Sequence, residues 1–272
     1  MDQDLTPLLR EWPYEPGQLN VRAIQTREGE TRIQVRLDLG ILQMRMDGRP
    51  DGQRPGGFPS LLEMFETRLD ESVSEDPEDE VGAGPEAEPE PFTLTDEDCR
   101  ALREEAVQYY HRYMACLALE EYEAVLRDTS RNLRVIDLCG RFAQSERDRT
   151  DLEQFRPYIL MIRTRALASA ALKENEPKAA VLAIDEGLEA LRLHFADRGE
   201  PSHFEQAGEV QMLRSMRDAL VPKLPVSQKT ELRQRLADAI SRENYELAAI
   251  LRDELRLLGD EGSTPGLPRK SS

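Results

Sequence analysis

Residues 155–196 read FRPYILMIRTRALASAALKENEPKAAVLAIDEGLEALRLHFA. Apolar residues recur through both halves at three- and four-residue spacing, the period of an amphipathic helix. Asn175-Glu176-Pro177 interrupts the pattern, and Pro177 suits a first helical position, because its missing N–H would be idle there. The spacing predicts helices over 155–174 and 178–196 joined by a tight turn. Small residues at Ala168, Ala180 and Gly187 let the two helices approach closely.

Working outward, the chain is helical from Thr95 onward. Residues 95–118 open with Thr95 and Asp98 at capping positions and acids in the first turn, as a helix dipole favours. A second helix over 120–142 is expected to end near Gly140, followed by the intervening stretch AQSERDRTDLEQ. A fifth covers 204–224 and is stopped by Pro222 and Pro225. Counted from Met161, the 155–196 hairpin resembles one tetratricopeptide repeat, with Leu167, Ala168, Ala171, Ala180, Ile184 and Gly187 in that motif's small and large slots. The first two helices fit the template more loosely, with Val125 and Thr129 where alanine and an aromatic are usual.

Toward the N-terminus the period changes to two. In TRIQVRLDLG (31–40), Ile33, Val35, Leu37 and Leu39 alternate with Arg32, Gln34, Arg36 and Asp38, which predicts a strand. After Gly40 the phase shifts to Leu42, Met44 and Met46, the mark of a bulge or a sharp bend. LNVRAIQT (19–26) reads as a preceding strand, with REGE as its hairpin turn. The glycine- and proline-rich DGRPDGQRPGG ends the sheet, and PSLLEMFETRL (59–69) reads as a short helix with Ser60 as its cap.

The formal net charge is −17, yet it is concentrated. Between Asp70 and Asp98 there are 13 acids and no Lys or Arg, and the rest of the chain carries about −4. Residues 71–94 are therefore expected to be an acidic disordered linker, with too little apolar surface to offset ordering entropy.

Near the C-terminus, LRQRLADAISRENYELAAILRDELRLL (232–258) forms a second helical pair broken at Glu243-Asn244. Leu232, Leu236 and Ile240 make one stripe, and Ala248, Leu251, Leu255 and Leu258 make another with the narrow spacing of a packing seam. Large buried side chains contribute about 1.5–3 kcal/mol each, while ordering costs on the order of 1.5 kcal/mol per residue. An isolated hairpin thus nets near zero and needs a second surface. Another copy, a similar hairpin on a partner, or the preceding helical stack could each supply it.

The residues Leu232, Leu236, Ala239, Ile240, Glu243, Tyr245, Glu246, Ala248, Ala249, Leu251, Arg252, Asp253 and Leu258 resemble, in order and spacing, the UVR motif of the excision-repair proteins UvrB and UvrC. The resemblance implies pairing of hairpins through their apolar faces. It makes Leu232, Leu236, Ile240, Tyr245, Ala248, Leu251, Leu255 and Leu258 the expected partner-binding residues, with Arg252 and Asp253 setting register. UVR hairpins also occur in stress-response adaptors that pair with an arginine kinase and protease, whose Cys-rich zinc modules have no counterpart here.

The remaining chemistry is sparse. Cys99, Cys116 and Cys139 are spaced 17 and 23 apart, which fits neither a zinc motif nor a disulfide framework, and reduced thiols are expected. His111, His194 and His203 sit in no metal or nucleophile pattern, and there is no GxxxxGK[ST] loop. No catalytic residues, cofactor or metal are expected. Between Val226 and Leu258 six basic residues balance six acids, so direct nucleic-acid binding is not expected either. The one basic surface is the polar sheet face bearing Arg22, Arg32, Arg36 and Arg45. No apolar run reaches the roughly 18 residues of a membrane span, and no secretion signal is legible.

The expectation is an α+β, mainly α, cytoplasmic, non-enzymatic adaptor. It comprises a β-rich meander with one helix (1–70), the acidic linker (71–94), tetratricopeptide-like helical hairpins (95–225), the UVR hairpin (226–258) and a disordered tail (259–272). Its partner would be a protein or a second copy of itself. The alternative is an accessory factor in nucleotide excision repair that contacts DNA or the UvrB/UvrC machinery.

Overall fold

The computed structural model describes residues 4–74, 91–220, 228–242, 247–248 and 250–252. Among the described residues are ten α-helices and one three-stranded antiparallel sheet, an α+β architecture that is mainly α. The chain divides into two compact units, Met1–Val221 and Pro222–Ser272.

In the first unit, the hairpin of residues 155–196 is α6 (Arg156–Lys173) and α7 (Pro177–Asp197). Asn175 takes a left-handed φ of 61°, a conformation its short polar side chain tolerates. The adjacent Glu176 N–H then donates to Ala171 O at 2.8 Å, closing α6. Ala168, Ala180 and Ile184 are fully buried. At Gly187 the approach is so close that a Cβ would lie 2.2 Å from Thr164 Oγ1.

Before this hairpin, α3 (Asp96–Ala118) starts with a complete capping box between Thr95 and Asp98, satisfying two otherwise idle N–H groups. The next helix, α4 (Tyr122–Phe142), runs through Gly140 and stops two residues later, where Ala143 N–H still bonds Cys139 O at 3.0 Å. The intervening stretch contains α5 (Glu146–Asp151), capped by Ser145. Two further helices, α8 (Pro201–Phe204) and α9 (Gly208–Leu220), follow α7.

The sheet is β1 (Asn20–Gln25), β2 (Thr31–Arg36) and β3 (Ile41–Arg45), in that order. The phase change at Gly40 is a tight turn and not a bulge. Leu37 and Gly40 exchange backbone bonds at 2.9 and 3.4 Å, leaving Asp38 and Leu39 as a two-residue loop. Leu39, which alternation placed on the apolar face, is consequently 89% exposed. In register, Ile33 lies between Ala23 and Met44, and Val35 between Val21 and Leu42. That face joins one apolar core with Tyr113, Cys116, Met161 and Ile162 of the helices.

A short helix α1 (Thr6–Glu11), which periodicity did not signal, precedes the sheet. After the sheet, α2 (Leu61–Ser74) extends past residue 70. At the far end of the acidic stretch, Leu94 is fully buried in a parallel bridge to Ala143, and Phe92 stacks edge-on against Phe142. The ordered chain thus reaches into both ends of the 71–94 segment, whose residues 75–90 lie outside the described residues.

Sheet and helices are joined by buried charge. Glu105 of α3 accepts the N–H of Leu61, at the start of α2, at 3.0 Å, pairs with Arg131 of α4, and stands 3.2 Å from Arg49 Nε. Two turns along α3, Arg112 grips Asp128 of α4 and also donates to Arg45 O at 3.1 Å and Gly48 O at 2.6 Å. Arg127 adds a bond to Met46 O at 2.7 Å. The Arg131 and Arg112 guanidiniums both lie over the Tyr109 ring, 3.8 and 4.8 Å from its centre. Buried charges persist only when paired and hydrogen-bonded, so this network sets where the β3–α2 loop meets the helices.

Candidate functional site

In the second unit, α10 (Gln228–Ser241) is followed by helical residues at 247–248 and 250–252. Ala239, Ala248 and Leu251 are 3%, 9% and 1% exposed and form an apolar cluster flanked by Leu236. Residues one position away along each helix point about 100° elsewhere. Ile240, Leu247 and Ile250 are accordingly 55%, 38% and 58% exposed. The second helix is apolar over two adjacent faces, one buried and one open to solvent.

Of the residues marked from the sequence, Leu236, Ala248 and Leu251 are therefore in or beside the inner cluster, while Ile240 faces outward and Arg252 is exposed. Leu232 lies on α10, but its side chain, like the whole of Tyr245, Asp253, Leu255 and Leu258, falls outside the described residues. Leu247 and Ile250 were not marked. The signal that could have found them is the doublet pattern Leu247-Ala248 and Ile250-Leu251, which is too wide for a single seam.

The arginine face of the sheet is largely engaged within the chain. Arg22 stacks on Trp12 at 4.1 Å and donates to Gln34 at 2.8 Å. Arg36 is buried and donates to Trp12 O at 2.8 Å, and Arg32 pairs with Glu30. Arg45 remains exposed. A concave apolar groove of about 560 Å³ also opens among the helices, walled by Val107, Tyr110, Tyr113, Ile136, Phe155 and Tyr158. Its polar neighbours are mostly occupied: Arg103 pairs with Asp148, and Asn132 bonds Arg131 and Ala106 O. Burial pushes the Tyr113 hydroxyl well above its usual range, so it stays neutral.

Among the described residues no group of three or more His, Cys, Asp or Glu could hold a metal ion, and no helix is long and apolar enough to cross a membrane. His194 is held below the usual histidine range, chiefly by burial.

The second unit thus combines an apolar inner cluster with exposed aliphatic side chains. Residues 227–261 match the family model described as the UvrB/uvrC motif, so the chain carries this motif in its C-terminal region. The motif occurs in UvrB and UvrC DNA-repair proteins, where it is an interaction and DNA-binding element. No curated protein and no solved structure matches the chain.

Proposed function

We propose that this chain is a non-catalytic adaptor, acting in the cytoplasm, whose UVR hairpin pairs with a helical protein partner or with a second copy of itself. The observation that carries this reading is the outward exposure of Ile240 and Ile250 on a hairpin whose inner cluster is already filled by Ala239, Ala248 and Leu251. Large aliphatic side chains stay exposed at a cost in water that a partner's apolar surface removes. The inner cluster holds the two helices together, and the outer side chains do the pairing. Even charge balance in the hairpin favours a protein over a phosphate backbone.

The test is solution mass by light scattering for the full chain and for a chain ending at Pro225. A dimer that becomes a monomer on truncation supports self-pairing. A monomer in both cases directs the search to a UVR-bearing partner, and a truncated chain that captures the same partner as the full one overturns the assignment to the hairpin.

The matched motif also favours a second reading, an accessory factor in nucleotide excision repair. Binding of bent or damaged duplex at moderate salt, lost on truncation at Pro225, would support it over the adaptor reading.

A further inference from the structure

Two of the three thiols stand together. Cys99 lies early in α3 and Cys139 in the last turn of α4, 40 residues apart in sequence. Both are free and they are 0% and 1% exposed. Each lies one turn inside its helix from the paired helix ends: Cys99 N–H donates to Thr95 O and Ala143 N–H to Cys139 O, both at 3.0 Å, beside the Leu94–Ala143 bridge. They share one apolar cluster with Leu94, Leu102 and Ala143, whereas Cys116 belongs to the other core. Directly beside the pair, Leu94 N–H donates to Phe142 O at 2.8 Å and Gln144 N–H to Leu94 O at 3.0 Å, so the chain entering α3 is bound to the chain leaving α4.

We propose that Cys99 and Cys139 form a reversible disulfide, a redox latch tying the start of α3 to the end of α4. Two buried thiols in one cluster, one turn from the paired ends of two helices packed on each other, are placed for an S–S bond of about 2.05 Å between those helices. Hydrogen peroxide supplies the oxidising equivalents. One thiolate sulfur attacks the O–O bond, giving a sulfenic acid and one water. The second sulfur then displaces a second water from that sulfenic acid as the S–S bond forms. The thiols lose two electrons, the peroxide gains them, and both thiol protons leave in the waters.

Burial makes this a latch rather than a sensor of brief exposure. Desolvation raises both thiols, Cys139 to about 12, which keeps the reactive thiolate scarce while the helices are closed. Around Cys99, Asp98 and Asp148 push further up, and Arg103 pulls the other way. Reaction therefore proceeds through local opening at the first turns of α3, and helix ends are where such opening is least costly. Once formed, the bond holds that end shut until a thiol reductant cleaves it by exchange.

The test treats the full chain with hydrogen peroxide, blocks residual thiols under denaturing conditions, and maps peptides without reduction. The expected result is a mass lower by two hydrogens, one linked peptide pair containing Cys99 and Cys139, and a rise in thermal midpoint that dithiothreitol reverses. Cys99→Ser should abolish the linked pair and the rise, while Cys116→Ser should leave both. Should the Cys99 variant not fold, the peptide map of the native sequence decides alone. Three results would overturn the proposal: both thiols still free, added oxygen without linkage, or a link that involves Cys116.

Discussion

Arg112 of α3 and Asp128 of α4 form a two-point ion pair, Nε to Oδ2 at 2.6 Å and a terminal nitrogen to Oδ1 at 2.8 Å, with side chains 1% and 0% exposed. The remaining guanidinium nitrogen reaches the backbone carbonyls of Arg45 and Gly48. One side chain therefore connects two helices and the loop leaving β3, and every one of its nitrogens is used. Such a pair does not guarantee net stability over an apolar replacement, but losing one partner strands the other charge away from water.

Asp128→Ala should accordingly destabilise the first unit by about 3–5 kcal/mol. Arg134, exposed and paired with Glu66 at 2.9 Å, gives the contrast, and Arg134→Ala should cost no more than about 1 kcal/mol. Urea unfolding of the two variants checks this, and equal losses would mean the buried pair holds nothing that the exposed one does not.

Gly187 meets Thr164 with no room for a methyl group. Gly187→Ala should cost about 1–3 kcal/mol through overpacking between α6 and α7. Thr164→Ala in the same chain should recover part of that loss, because it removes the Oγ1 and Cγ2 atoms that the new Cβ strikes. Additive losses in the double variant would place the strain elsewhere.

Ile240→Asp with Ile250→Asp should abolish pairing of the hairpin while circular dichroism stays close to that of the native chain, since both side chains already face water. Leu251→Asp should behave differently. It puts a charge into the inner cluster and should lower helicity as well as pairing. Measured partner affinity that survives the double isoleucine change would show that pairing uses another face.

His194 gives a pH dependence of known sign. Burial, aided by Arg156 and Arg198 and opposed by Glu153 and Asp197, lowers its folded pKa, while the unfolded chain keeps a value near about 6.5. Protonation then favours the unfolded state. The contribution is full above about pH 6.5 and is lost as the pH falls from there through the folded value. His194→Asn should flatten the fall in stability between roughly pH 7.5 and 5.5, read from unfolding midpoints at each pH. An unchanged profile would mean that another group titrates.

Local chemistry was legible where a residue's own backbone preference decides the outcome. Thr95 with Asp98 marked the start of α3, Pro177 the start of α7, and the period-two run the three strands with their apolar face. Gly40 marked a break without saying which kind. Only the backbone exchange between Leu37 and Gly40 distinguishes a two-residue turn from a bulge, because both shift the phase by one residue.

Charge was the least legible property. Helical spacing assigned no role to Glu105, Arg112, Asp128 and Arg131, and their burial follows from partners as far away as residues 45–61. A single helix's periodicity carries no signal of a partner so distant in sequence. In the C-terminal region, likewise, residue order and spacing marked an apolar pair of helices and their resemblance to the motif. Packing geometry decided that Ala248 and Leu251 turn inward while Ile240 and Ile250 turn outward. A helix that is apolar on two faces can bury only one of them against its own neighbour, and here the other stays open to solvent.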